Sequence, residues 1–254
     1  MVDPRISIID ERLREIRNII AVVSGKGGVG KSLVASTLAL ILARKGYKVG
    51  LLDLDFTSPS THIILNIQDS QPREEKGIVP PKIHDLSYMS IVFYSGESAL
   101  PLRAADVSNA LIELLAITRW GTQDFLIIDM PPGISDATLD IIQLVKRTSF
   151  LIVTTPSPLA YATAENLIEL LSELRMTMLG FVVNMKMNAS VIEQRFENRV
   201  HFLGSIPFDT NVEDAIGKTE ALLETAFAKK LEEIASRNLM LARAKWSQQA
   251  TNGL

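Results

Sequence analysis

With 254 residues, 47% of them hydrophobic, the chain is long enough to bury a full core at the upper size of one α/β domain. Its 26 Lys and Arg against 29 Asp and Glu leave a formal charge of −3, which gives no long-range pull toward nucleic acid or anionic lipid. The absence of cysteine excludes disulfides, thiolate zinc sites and cysteine-ligated iron–sulfur clusters within the chain.

The opening MVDPRISIIDERLREIR is charged from its third residue, and no apolar run reaches the ~18 residues of a membrane helix, so the expectation is a cytoplasmic protein without stable membrane insertion. Ile9, Leu13 and Ile16 recur at helical spacing, which predicts an amphipathic helix ending near Asn18. IIAVVS (Ile19 to Ser24) is a continuous apolar run before a glycine-rich turn, as expected of a strand buried on both faces of a parallel sheet. From Lys31, the positions Val34, Leu38 and Ile41 keep the helical period, and Gly46 is placed to end that helix. YKVGLLDLD is the next expected strand, followed by YMSIVFY, FLIIDM, SFLIVTT and LGFVVNM, with a helical pattern from Ala162 to Leu174. The alternation predicts an α/β fold, a single doubly wound, mostly parallel sheet flanked by helices, with residues 1–254 forming one domain. Asn66 to Pro81, rich in polar residues, proline and glycine, reads as a long surface loop. From Leu223, the stripe Phe227, Leu231 and Ile234 predicts a C-terminal helix packed on the sheet, with SQQATNGL as a fraying tail.

The chemistry concentrates in SGKGGVGKS, Ser24 to Ser32, between a predicted strand and a predicted helix. Gly25, Gly27, Gly28 and Gly30 let the backbone turn tightly and aim N–H groups at a phosphate chain, with the helix N-terminus behind them. Lys31 is placed to reach the β- and γ-phosphates, and Ser32 to offer its hydroxyl to Mg²⁺. Asp129 ends the apolar run FLIIDM, a position suited to holding Mg²⁺ at the C-terminal edge of a sheet. Gly133, in the PPG that follows, can present a backbone amide to a γ-phosphate and sense ATP against ADP. Asp53 and Asp55 end the second strand, where either carboxylate can orient an attacking water.

KGGVGKS, with its early lysine, resembles the deviant Walker A motif of the Mrp/MinD group of P-loop ATPases. LLDLDFTSPSTH is similar to the switch I of that group, WGTQDFLIIDMPPGISD to its Walker B and switch II in the Mrp version, and GFVVNM and LGSIPFDTNVEDA to its nucleotide-base elements. The resemblance implies an Mg²⁺-dependent ATPase working as a homodimer. It implies that Lys26 reaches across the dimer to the partner's nucleotide, that Asp55 positions water, and that Asp53 supports the Mg²⁺ shell beside Ser32 and Asp129. It further implies that Gly25 to Leu33, Val29 included, bind ATP or ADP, that Asn184 reads adenine, and that Pro207 and Phe208 lie along the base.

Departures from the group then narrow the expected role. The chain lacks the cysteine pair with which Mrp-type carriers bridge an iron–sulfur cluster, the basic membrane helix of MinD, and the basic DNA surface of ParA. It resembles instead the archaeal ATPase-type HypB of nickel-hydrogenase maturation, which implies a HypA-like nickel chaperone as partner. Mrp-type cluster assembly, MinD or ParA positioning, and a non-catalytic nucleotide-binding module are the alternatives. His62, His84 and His201 have no chelating spacing, so no metal beyond Mg²⁺ is expected.

Overall fold

Alternation along the first strand sets the layering of the molecule: Ile19, Ala21 and Val23 pack into one helix layer, while Ile20 and Val22 pack into the other. The computed structural model describes residues 3–95, 104–187, 196 and 199–251. The first half of the chain forms α1 (Arg5–Leu13), β1 (Ile16–Val23), α2 (Lys31–Arg44), β2 (Val49–Asp53), α3 (Thr61–Ile64), β3 (Arg73–Glu74), β4 (Ile78–Val79), β5 (Lys82–Ile83), β6 (Leu86–Ser90) and α4 (Val92–Ser95). The second half forms α5 (Ala104–Ile117), β7 (Gln123–Asp129), α6 (Asp136–Leu144), β8 (Thr148–Thr154), α7 (Pro158–Glu173), β9 (Thr177–Lys186), β10 (Phe202–Pro207), α8 (Asn211–Ala215), α9 (Thr219–Glu224) and α10 (Ala226–Thr251).

Eight strands make one sheet in the order β10-β9-β8-β1-β7-β2-β6-β5, and every pairing is parallel except β5 with β6. One face is covered by α1, α5, α6 and α7, through residues such as Leu13, Leu114, Ile141 and Leu167. The other is covered by α2, α9 and α10, through Val34, Leu38, Leu223, Phe227 and Leu231. Because β7 inserts between β1 and β2, the ends of these three strands lie side by side at one sheet edge, where an α/β sheet places its ligands.

The expected sheet architecture is present, with local differences. The first helix stops at Leu13 rather than near Asn18, because Ile16 pairs with Gln123 and already belongs to β1. Of YMSIVFY, only the first three residues are strand; Asp53 ends β2 opposite Ser90, so the ladder has no partner to offer Ile91, and Val92–Ser95 turn into α4. YKVGLLDLD is strand only over Val49–Asp53, its last two residues held instead by loop bonds from Leu54 N–H to the Asp129 carbonyl and from Asp55 N–H to the Asp53 carboxylate. Within Asn66 to Pro81 the short strands β3 and β4 form an antiparallel pair. The edge strand β10 went unanticipated, since only Ile206 along it is fully buried and Gly204 interrupts the apolar pattern. The predicted fraying tail is helical to Thr251, and residues 252–254 lie outside the described residues.

Candidate nucleotide-binding site

The glycine-rich turn leaves β1 at Val23 and enters α2 at Lys31, with Gly28 and Gly30 at φ of 78° and 81°, backbone that L side chains rarely adopt. Two glycines also permit close approach. A Cβ on Gly25 would strike the Thr163 and Ala164 backbone of α7, and one on Gly30 would strike the Asn184 carboxamide. Asn184, near the end of β9, donates from Nδ2 to the Val29 carbonyl at 2.9 Å. The loop is thus clamped between α7 and β9 with its N–H groups gathered at the start of a 14-residue helix, the arrangement that binds phosphate.

Sheet register then brings the carboxylates to this loop. Val22 of β1 lies beside Asp129 of β7, which lies beside Asp53 of β2. The Lys31 ammonium, only 6% exposed, stands 2.5 Å from Asp129 Oδ1 and 3.2 Å from Ser32 Oγ. Asp129 is fully buried, and its Oδ2 has no hydrogen-bond partner among the described residues. Asp53, also fully buried, accepts from Asp55 N–H on Oδ1 at 3.0 Å, and on Oδ2 from the Thr61 hydroxyl at 2.6 Å and Thr61 N–H at 3.3 Å. Asp55 points into the following loop, where Oδ1 accepts from the Thr57 hydroxyl at 2.8 Å and from Ser58 N–H at 3.0 Å.

Burial dominates the acidity of the two buried carboxylates. It pushes Asp53 up from 3.8 to about 7, with the neighbouring Asp129 charge adding to it against the bonds from Thr61 and Asp55 N–H. It pushes Asp129 up as well, opposed by Lys31. The sign of the linkage follows: between pH 3.8 and about 7 the unfolded chain has released the Asp53 proton that the folded chain still holds, so stability falls as pH rises. Urea unfolding of the nucleotide-free protein from pH 4.5 to 7.5 is expected to show a loss of roughly 3 kcal/mol, flattened by Mg²⁺ with ADP. A curve that rises through that window would contradict the raised Asp53.

The remaining expected site residues separate into those the fold brings to the loop and those already engaged. Val29 is buried, Leu33 is half-buried, and Lys26 sits half-buried on the loop with no carboxylate paired to its ammonium among the described residues. Gly133, at φ 79°, reaches the loop, but its N–H donates to the Ser24 carbonyl at 2.8 Å. A γ-phosphate contact at Gly133 therefore requires that bond to be exchanged, a correction to the free amide expected from the sequence. Asn184 is also a brace of the loop, one Nδ2 hydrogen bonded to the Val29 carbonyl and its side chain 2% exposed; its second Nδ2 hydrogen and its Oδ1 are the groups with which it could meet a base. Pro207 and Phe208 follow on the neighbouring strand, and Phe208 leaves 53% of its surface exposed. Thr61, bonded to Asp53, and Tyr88, bonded to Thr61, were not anticipated; a threonine in a polar loop and a tyrosine in an apolar run carry no local signal of these contacts.

The donor set fits Mg²⁺. An unpartnered, buried carboxylate oxygen on Asp129 lies next to a serine hydroxyl and a phosphate-binding loop, and hard oxygen ligands shared with phosphates are what this ion takes. No helix among the described residues is long and apolar enough to cross a membrane.

Comparison with known proteins agrees with this geometry. Residues 15–240 match the family described as ParA, NUBPL iron-transfer P-loop NTPase. The iron–sulfur cluster carrier protein of Pseudomonas fragi is 41% identical over 177 residues, covering 68% of this chain and 62% of its own. That of Aquifex aeolicus is 34% identical over 226 residues, covering 82% and 62%. The chain spans about half to two thirds of the length of such relatives, 48% in the case of Escherichia coli. Among solved structures, a nucleotide-binding protein of Archaeoglobus fulgidus in complex with ADP superposes with a TM-score of 0.72 at 30% identity, covering 86% of this chain and 93% of that one. The cell division ATPase MinD of Pyrococcus furiosus shares the fold, with a TM-score of 0.66 at 23% identity over 89% of this chain and 100% of that one. The sequence relatives carry iron–sulfur names, so the nickel role expected by analogy with HypB, and the HypA-like partner with it, are set aside. The chain belongs to the family of ParA-type, NUBPL iron-transfer P-loop NTPases.

Proposed function

We propose that the protein is an ATP-hydrolysing, homodimeric nucleotide switch that serves the assembly of iron–sulfur proteins. The observation that carries the ATPase part is the buried junction of Lys31, Ser32 and Asp129 at the mouth of a phosphate-binding loop. The iron–sulfur part rests on the names of relatives that this chain matches over part of their length. These 254 residues contain no cysteine, so none of them supplies a thiolate ligand to a cluster, and the role we propose for them is the nucleotide cycle that governs binding of a cluster-holding client.

The residues divide the work as follows. Backbone N–H groups of Gly25 to Ser32 hold the phosphates of ATP, while Lys31 trades its bond to Asp129 for the β- and γ-oxygens. Ser32 and Asp129 would hold Mg²⁺, with Asp53 behind them, and the ion would neutralise charge developing on the phosphate oxygens. Asp55, already oriented by Thr57 and Ser58, positions the attacking water, and transfer is in line because positioning rather than covalent chemistry governs this reaction. Asn184 braces the loop under the base, and Pro207 and Phe208 flank it. Exchange of the Gly133 amide from the Ser24 carbonyl to the γ-phosphate would report which nucleotide is bound.

The test has two parts. Phosphate release is expected to rise more steeply than linearly with protein concentration, as a dimeric ATPase requires; absence of turnover would leave a non-catalytic nucleotide-binding module. Capture from a native extract on the immobilised protein is expected to recover iron-containing, cysteine-rich proteins with an unhydrolysable ATP analogue and fewer with ADP. Recovery of nickel chaperones or division proteins instead would overturn the iron–sulfur assignment.

A further inference from the structure

Asp53 is held by a chain of hydroxyls that the nucleotide chemistry described above does not use. Thr61, at the start of α3, donates its hydroxyl to Asp53 Oδ2 at 2.6 Å, and the same oxygen lies 2.8 Å from the Tyr88 phenol on β6. A threonine hydroxyl carries one hydrogen and two lone pairs. With its hydrogen given to Asp53, Thr61 Oγ1 can only accept from Tyr88, whose phenol also bonds the Ser90 side chain. Thr61, Tyr88, Ser90 and Asp53 are all nearly or wholly out of water, so none of these hydroxyls exchanges its bond with solvent. The chain also spans separate elements: Ser90 is the ladder partner of Asp53 and Tyr88 that of Leu51, while Thr61 opens α3, directly after the loop that carries Asp55.

The lone-pair count gives this network a purpose. Asp53 already accepts three hydrogen bonds, from Asp55 N–H, Thr61 N–H and the Thr61 hydroxyl, out of about four acceptor sites on a carboxylate. One site remains, enough for a water on a metal ion and too few for a shared chelate, whereas Asp129 next to it keeps an unpartnered oxygen. Such outer contacts orient the groups around a metal and govern its affinity. We propose that Thr61, locked by Tyr88, is the positioning residue that fixes the Asp53 carboxylate for the hydrated face of the nucleotide-bound Mg²⁺, so that metal affinity depends on a hydroxyl at position 61. The inference rests on the nucleotide-switch reading of the same site and adds the residue that sets its metal affinity.

The experiment uses the full chain with ADP and Mn²⁺ as a paramagnetic probe, reading free Mn²⁺ by electron spin resonance. Thr61→Val is expected to weaken Mn²⁺ binding in the ADP complex by about 10- to 100-fold, the range found for outer contacts of metal ligands. Affinity for metal-free ADP is expected to stay within about twofold, because among the described residues the Thr61 side chain bonds Asp53 and Tyr88 and no residue of the phosphate loop; a structural collapse would lower both. Thr61→Ser keeps the hydroxyl and is expected to restore Mn²⁺ affinity. Tyr88→Phe leaves the Asp53 bonds intact and frees the Thr61 rotor, so a smaller loss is expected; this variant carries the test if Thr61→Val does not fold. Equal Mn²⁺ affinity in wild type and Thr61→Val, or a Thr61→Ser variant as weak as Thr61→Val, would overturn the inference while leaving the nucleotide reading in place. Failure of the wild type to bind Mn²⁺ with ADP would overturn both.

Discussion

Lys31→Ala is expected to abolish ATP binding and also to destabilise the nucleotide-free fold by roughly 3–5 kcal/mol, because it leaves the carboxylate of Asp129 buried with no cation beside it. Both partners are withdrawn from water, with side chains 6% and 0% exposed, so solvent screening does little to soften the loss. The double variant Lys31→Ala with Asp129→Asn removes the stranded charge. It is expected to regain most of the stability while still binding no nucleotide. Urea midpoints and nucleotide titration on the same preparations separate the two effects. If the single variant were as stable as wild type, the buried pair would not be the structural element described here; if it bound ATP with unchanged affinity, Lys31 would not be the phosphate lysine.

Lys26→Ala is expected to separate binding from turnover. Lys26 lies on the same loop as Lys31, yet it is half-buried rather than enclosed and no carboxylate pairs with its ammonium among the described residues. A lysine required only for the integrity of its own loop would be expected to share in such bonds. In a dimeric switch it completes the site of the second copy, so the variant is expected to keep ATP affinity within about threefold and to lose roughly 10³-fold in turnover, the scale of a cation supplied in trans to phosphoryl transfer. Mixing Lys26→Ala with a hydrolysis-deficient Asp55→Asn variant is expected to restore part of the activity, since one mixed site pairs an intact Asp55 with an intact Lys26. Full turnover by Lys26→Ala alone, or no rescue on mixing, would contradict the trans role. Stability is not expected to change by more than about 0.5 kcal/mol, because this side chain is not part of a buried network.

The parts of the site that were legible in the sequence are those made of consecutive residues. SGKGGVGKS carries its own geometry, since left-handed backbone at Gly28 and Gly30 and the start of α2 at Lys31 follow from local glycine content and helical period. Asp129 was legible because an apolar run that ends in a carboxylate puts that carboxylate at a strand end. The strand ends themselves were misjudged wherever a ladder partner decides them: Ile16 joined β1 because Gln123 lies opposite, and Ile91 left β6 because β2 offers nothing beyond Asp53. The bond from Asn184 to the Val29 carbonyl was not legible either, for it depends on how closely β9 approaches the loop.

What the chain determined by itself was the inventory: a phosphate loop with two lysines, carboxylates at strand ends, alternating apolar runs that demand two helix layers, and no thiolate with which to hold a cluster. What only the tertiary structure decided was which of these groups meet. Strand order β1-β7-β2 sets Asp129 between the loop and Asp53, and α3 and β6 bring Thr61 and Tyr88 to that carboxylate from positions 8 and 35 residues downstream of it. The physical reason is that hydrogen bonds and ion pairs at the site form between residues far apart in the chain, through a sheet order that hydrophobic periodicity leaves open, and burial then makes each such contact either satisfied or costly.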